Sequence, residues 1–160
     1  MSISTQDLGT SWASGSNSGS ASVAIEVGSP IVVVPATQWA NLNGYLTFSS
    51  FSGNLITVSD PVSSSIVLNV DLSVTTGTVA MMSTGGLTIV SGNPNGDSNI
   101  DFTGTASSID ADLNWMTFDP PAGYSGAATL TVEVSDQGDG EIYAPQTATG
   151  QVGILVGARP

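Results

Sequence analysis

From residue 23 onward, hydrophobic residues recur at every second position with few interruptions. Val23, Ile25 and Val27 alternate with small or polar residues. Ile31 to Val34 is a continuous apolar run that ends at Pro35. Leu46 and Phe48 alternate, and Leu55 to Val58 follows. The clearest stretch is Ile66, Leu68, Val70, Leu72 and Val74, with Val67, Asn69, Asp71 and Ser73 between them. A period of two with one apolar and one polar side is the pattern of a half-buried strand with one wet face. Leu87 and Ile89, Ile100 and Phe102, then Leu130, Val132 and Val134 continue it. Val152, Ile154 and Val156 close it.

Turn signals separate these runs: Ser52-Gly53-Asn54, Thr76-Gly77, Gly85-Gly86, Asn93-Pro94-Asn95-Gly96-Asp97, Pro120-Pro121-Ala122-Gly123 and Gln137-Gly138-Asp139-Gly140. Short strands broken by turns every ~8–12 residues predict an all-β sandwich rather than an α/β fold. One segment breaks the period. Ser107 to Leu113 reads as a helical turn bridging the two sheets, with Ser107 as its cap and Asp110 in the capping-box position. Ile109 and Leu113 then share one face, toward the core. The acidic residues of this turn read as helix-dipole partners rather than ligands.

Residues 1–22 are rich in Ser and Gly, as in Ser14-Gly15-Ser16-Asn17-Ser18-Gly19-Ser20. Such a composition cannot bury enough surface to order itself. An ordered arm of this kind must be held by its own domain or by a neighbour. The organisation predicted is an N-terminal arm, 1–29, carrying one strand at Val23–Val27, followed by a sandwich over 30–160. Met1 to Ser22 has neither the basic start nor the apolar centre of a secretory signal peptide. No apolar run approaches the ~20 residues of a membrane span.

Composition narrows the chemistry. The chain has no lysine, histidine or cysteine, and its one arginine is Arg159. A Ser or Cys nucleophile paired with histidine is excluded. So are Schiff-base chemistry, zinc sites built on Cys or His, disulfides and isopeptide staples that need lysine. Phosphate cradles lean on Lys or Arg as well. Paired carboxylates, which hydrolyse glycosides unaided, are the catalytic class that survives. The reading is not an enzyme. Thirteen carboxylates give a formal net charge of −12. Such a polyanion repels nucleic acid and anionic lipid, and suits divalent cations or simple solubility.

Several pieces between Leu46 and Gly140 resemble the tandem cadherin-like or immunoglobulin-like repeats of large bacterial surface adhesins. They are Leu46-Thr47-Phe48-Ser49-Ser50, Ile56-Thr57-Val58-Ser59-Asp60, Leu72 to Thr78, Asp101-Phe102-Thr103-Gly104-Thr105, Gly123-Tyr124-Ser125-Gly126 and Val134-Ser135-Asp136-Gln137-Gly138. The resemblance implies a seven-stranded Greek-key sandwich, no catalysis and interdomain calcium. It also fits accessory proteins of phage virions that use the same kind of sandwich.

Asp60 ends one expected strand and Asp136 another that runs the same way in such a sandwich, so both fall at one pole. With Asp139 they offer three carboxylates to calcium, which takes six to eight oxygens. The resemblance supports Asp60 and Asp136 as ligands. It also shows two departures: Val62 stands where the family commonly has a second acid, and Gly28-Ser29-Pro30 replaces its Asn-Asp-rich linker. The alternative is structural, with Asp60-Pro61 opening a turn and Asp136 capping a hairpin loop. The Asn93–Asp101 loop alternates oxygen-bearing side chains, but its twelfth position is Gly104, so Asx turns are expected there. Tyr124 suits a tyrosine corner, and Trp115 and Phe118 read as core.

Trp12 reads as an intersubunit anchor, and Trp39 as a core or groove filler or as an exposed anchor for a neighbour or a sugar. Val23, Ile25 and Val27, like Ile31–Val34, are good donors for strand addition to another copy. The function expected is a non-catalytic structural or adhesive module, extracellular, on a cell surface or in a virion, with protein partners and possible calcium. A carbohydrate-binding domain is the alternative, and a carboxylate-only glycosidase the third reading.

Overall fold

The computed structural model describes residues 28–138 and 144–157, together with two strands near the N-terminus. Those two, β1 (Ser2–Asp7) and β2 (Asn17–Ser22), pair antiparallel with Ser2 opposite Ser22. Val23, Ile25 and Val27 lie outside the described residues, as do Trp12 and Asp139. The strands that follow are β3 (Ile31–Val33), β4 (Gln38–Ala40), β5 (Leu46–Phe48), β6 (Thr57–Ser59), β7 (Val67–Val74), β8 (Thr78–Ala80), β9 (Thr88–Ser91) and β10 (Asn99–Thr105). One helix, α1 (Ala106–Leu113), leads to β11 (Met116–Asp119), β12 (Gly126–Ser135) and β13 (Thr147–Val156).

The fold is an all-β sandwich. Its larger sheet has six strands in the order β4-β13-β12-β7-β10-β9; a smaller one has the order β5-β11-β8, and β3 pairs with β6. Alternation builds the layers. Leu68, Val70, Leu72 and Val74 of β7 all point inward, as do Ile100 and Phe102 of β10, Leu130, Val132 and Val134 of β12, and Val152, Ile154 and Val156 of β13. They meet Phe48, Val79, Met116 and Phe118 from the smaller sheet in one continuous core. Ile56, Val58, Ile109 and Leu113 close its edge. Burying a large aliphatic side chain stabilises by ~1.5–3 kcal/mol before entropy is charged against it.

The outward face of the larger sheet is acidic. Glu133 stands directly opposite Asp71, and Asp71 directly opposite Asp101, so three carboxylates form a row across β12, β7 and β10. Amides soften the repulsion: Asn99 Nδ2 donates to Asp71 at 2.9 Å and Asn69 Nδ2 to Asp101 at 2.6 Å.

Three expectations need correction. Thr105, rather than Ser107, caps α1, its hydroxyl accepting from the Ser108 N–H at 3.4 Å. The extended backbone of Thr105 at the end of β10 puts the cap two residues earlier than the capping-box reading suggested. Trp115 is not core. It is 44% exposed, holds a positive φ of 77°, and stacks on Phe51 with ring centroids 6.5 Å apart. Positive φ turns its side chain away from the alternation that buries Met116 and Phe118. The three-residue strands β4 and β8 and the four-residue β11 were not expected as separate elements, being too short to show a period.

Replacing Leu72 by Ala should lower the unfolding free energy by about 2–5 kcal/mol in a denaturant titration. Asp71→Asn, on the opposite face of the same strand, should raise it by about 0.2–1 kcal/mol, and the gain should shrink with added salt.

Candidate functional site

Asp60 follows directly on β6. Its Oδ1 accepts the Val62 N–H at 2.7 Å and the Ser63 N–H at 3.3 Å, which makes an Asx turn across Pro61. Asp136 follows directly on β12 and is 1% exposed. Its Oδ1 accepts the Gly138 N–H at 2.9 Å and the Gln146 N–H at 2.8 Å, clamping both sides of the β12–β13 connection. Gln137, between them, sits at φ 56° and sends its Nε2 to the Val67 carbonyl at 3.0 Å. Both aspartates thus do the structural work foreseen for them, and each does it with one oxygen.

The second oxygens are different. Asp60 Oδ2 and Asp136 Oδ2 are buried and have no hydrogen-bond partner among the described residues. No other buried side-chain nitrogen or oxygen among the described residues is left this way. Polar atoms taken out of water are nearly always paired, because the lost hydration is otherwise uncompensated. The two orphan oxygens belong to the two aspartates that the sequence put at one pole.

The entering segment touches the strands on both sides of it. Ile31 lies opposite Ser59, so Pro30 is level with Asp60. Gln38 pairs in parallel with Ile154, so the chain leading into β4 runs alongside β13. Gly150 makes that approach possible: a Cβ there would lie 2.6 Å from Val34 Cγ1 and 2.9 Å from Val32 Cγ1. The segment entering at Gly28 therefore pairs with β6 on one side and packs its Val32 and Val34 against Gly150 of β13 on the other. Gly28 itself packs so closely on Pro61 that a Cβ would come within 2.6 Å of its ring.

Among the described residues no three acidic side chains stand close enough to form a metal cage by themselves. Two carboxylate oxygens would need backbone carbonyls and water to complete a calcium shell. Asp139 lies outside the described residues. The Asn93 loop folds as an Asx-turned loop: Asn95 N–H donates to Asn93 Oδ1 at 3.0 Å, and Asp97 accepts from Asn93 N–H and Ser98 N–H. Tyr124 is structural, its hydroxyl donating to the Ala127 carbonyl at 2.6 Å. Trp39 is 38% exposed beside a groove, so it does not fill the core.

The acids of α1 have roles that periodicity could not show. Asp110 accepts the Val58 N–H at 2.8 Å and Asp112 the Gly86 N–H at 3.2 Å. They tie β6 and the turn at Gly86 to the helix and do not serve its dipole, since the first turn holds no acid. Burial pushes the Asp110 carboxyl above its ordinary value, and the Val58 N–H partly offsets this. A raised folded value means the native state holds that proton more tightly than the unfolded chain. The contribution is then full below the unfolded value and is lost as pH rises through the folded one.

Asp110→Asn keeps an oxygen for Val58 and removes the buried charge. Its stability relative to the parent should rise from acidic to neutral pH, measured by melts across that range. Asp110→Ala loses the bond and should cost about 1 kcal/mol or more at neutral pH.

A scan against protein-family models finds no match for this chain, and a search of curated proteins finds none either.

Proposed function

We propose that the chain is a non-catalytic structural or adhesive module, a cadherin-like repeat of the kind found in surface adhesins and virion accessory proteins, stabilised by calcium at the Asp60–Asp136 pole. The observation that carries this reading is the pair of buried, unpartnered Oδ2 atoms. An oxygen-only site with two carboxylates is the chemistry calcium prefers, and a hard dication compensates charge that no hydrogen bond reaches. Asp60 and Asp136 would hold the ion, with carbonyls of the entering segment and the 139–143 loop near enough in sequence to contribute. The ion would supply cross-linking, joining the β6 end, the β12 end and the chain that enters at Gly28.

Composition supports the non-catalytic half of the reading. Without histidine, lysine or cysteine, nucleophiles have no conventional activating partner. The acidic exterior suits an extracellular setting rich in divalent cations, and it disfavours nucleic acid. Among the described residues no helix is long and apolar enough to cross a membrane. The partners that fit are other copies or neighbouring structural subunits.

Calcium at 100 times its Kd should stabilise the fold by about 2.7 kcal/mol, seen as a rise of several degrees in Tm. Asp136→Asn and Asp60→Asn should each remove most of that rise while remaining folded. A Tm indifferent to calcium and to chelator would sink the calcium reading. Native mass, measured with and without chelator, tests assembly: a species larger than the monomer is expected in calcium.

A further inference from the structure

Two aromatic rings from distant parts of the chain meet on the surface of the sandwich. Phe51 is 88% exposed and Trp115 nearly half exposed, and their rings stack with planes 21° apart. Phe51 sits at the first corner of a turn, Ser50 to Gly53, closed by the Gly53 N–H donating to the Ser50 carbonyl at 3.3 Å. Trp115 lies between α1 and β11. Folding ordinarily takes most of such rings out of water. Here roughly 300 Å² of aromatic surface is left in it.

Hydrogen bonds fix the backbone that carries both rings. The Ser49 N–H donates to Asn54 Oδ1 at 2.9 Å, the Ser52 N–H to Ser49 Oγ at 3.1 Å, and the Asn54 N–H to the Ser49 carbonyl at 3.3 Å. Asn54 is itself buried, its amide anchored on Gln38 Oε1 and on the Thr47 carbonyl. Two further bonds join one ring's loop to the other's. The Ser50 N–H donates to Asn114 Oδ1 at 3.1 Å, and the Trp115 N–H to the Phe48 carbonyl at 2.8 Å. Trp115 is held at φ 77°, a conformation that is strained for a bulky side chain. Strain kept in place by surrounding bonds, at a ring that packing does not bury, points to display.

Charge selects the partner. No charged residue occurs from Gly28 to Ser59, the stretch that contains Phe51. Trp115 is flanked by Asn114 and Met116, and the nearest acid in sequence, Asp112, is buried and accepts the Gly86 N–H. A basic partner would seek carboxylates, which stand in a row on the outward face of the larger sheet instead. A second copy of this chain has the opposite requirement. Each copy carries a formal charge of −12, so two copies repel wherever their acids face each other. They can touch only across surface that neither has charged. The two rings supply such surface, and each copy offers the other the aromatic complement that offset or edge-to-face packing needs.

We propose that Phe51 and Trp115 form the centre of a two-fold contact between two copies of this chain. The same patch serves both sides, as an isologous interface requires. Rigid aromatic anchors of this kind carry most of the energy of a contact, and the uncharged Ser50, Ser52 and Asn114 beside them suit its rim. The rings supply less than half of the ~800 Å² that a stable interface takes from each partner. The dimer is therefore weak and reversible. The proposal rests on the reading that this chain assembles with other copies, and adds the surface that does it. It does not rest on calcium.

Sedimentation equilibrium of the full chain in chelator, over a wide range of concentrations and at low and high salt, is the test. A monomer–dimer equilibrium is expected. It should tighten as salt screens the repulsion between the two acidic copies. Phe51→Ser and Trp115→Gly should each weaken it at least ten-fold. Phe51 is exposed at a turn, so Phe51→Ser decides the matter if Trp115→Gly melts early. A monomer at every concentration, whatever else the rings capture, would overturn the proposal. So would an open-ended polymer, an association that loosens with salt, or an unchanged dimer in folded Phe51→Ser. Association that needs calcium and survives Phe51→Ser would overturn this surface and leave the calcium reading standing.

Discussion

Carboxylates in this protein must be satisfied almost without cationic side chains. The sequence offers a single basic side chain, Arg159, against thirteen acids. Backbone N–H groups take the place that lysine and arginine fill elsewhere. Asp60 holds Val62 and Ser63, Asp97 holds Asn93 and Ser98, Asp110 holds Val58, Asp112 holds Gly86, and Asp136 holds Gly138 and Gln146. Hydrogen bonds to charged groups contribute about 1.5–3 kcal/mol each. Several of these span long stretches of chain, so the acids position loops that the short strands alone could not. The same rule explains why the pole is distinctive: at Asp60 and Asp136 the supply of N–H donors covers Oδ1 and stops.

That arrangement divides the molecule by charge. One end gathers carboxylate oxygens with unmet demand. The outward face of the larger sheet spreads its acids in a row and tempers them with asparagine amides. The groove lined by Thr37, Gln38, Thr47, Ser52 and Asn54 holds no acid among its lining residues.

Much of the architecture was legible in the chain. The alternation of Leu68, Val70, Leu72 and Val74 is strong because β7 is central, with a neighbour on each side and one buried face. β12 and β13 were legible for the same reason. The short strands were not: three residues such as Gln38–Ala40 carry no period, and their place follows from pairing with a distant partner. Trp115 escaped because a positive φ reverses its side chain, which hydrophobicity cannot signal. The cap of α1 shifted because Thr105 ends a strand and starts a helix at once. At the site, sequence marked Asp60 and Asp136 as residues that end strands, and each does follow one directly. It could not tell that each would spend a single oxygen on its turn, since that depends on side-chain rotation in the folded state.

The central claim is that the leftover aspartate oxygens face a cation. A crystal grown in calcium and measured at a wavelength with useful calcium anomalous signal tests it directly. The account predicts an anomalous peak about 2.3–2.6 Å from Asp60 Oδ2 and from Asp136 Oδ2. Calcium-soaked crystals with no peak at either oxygen, or with both oxygens hydrogen-bonded to ordered water alone, would contradict it.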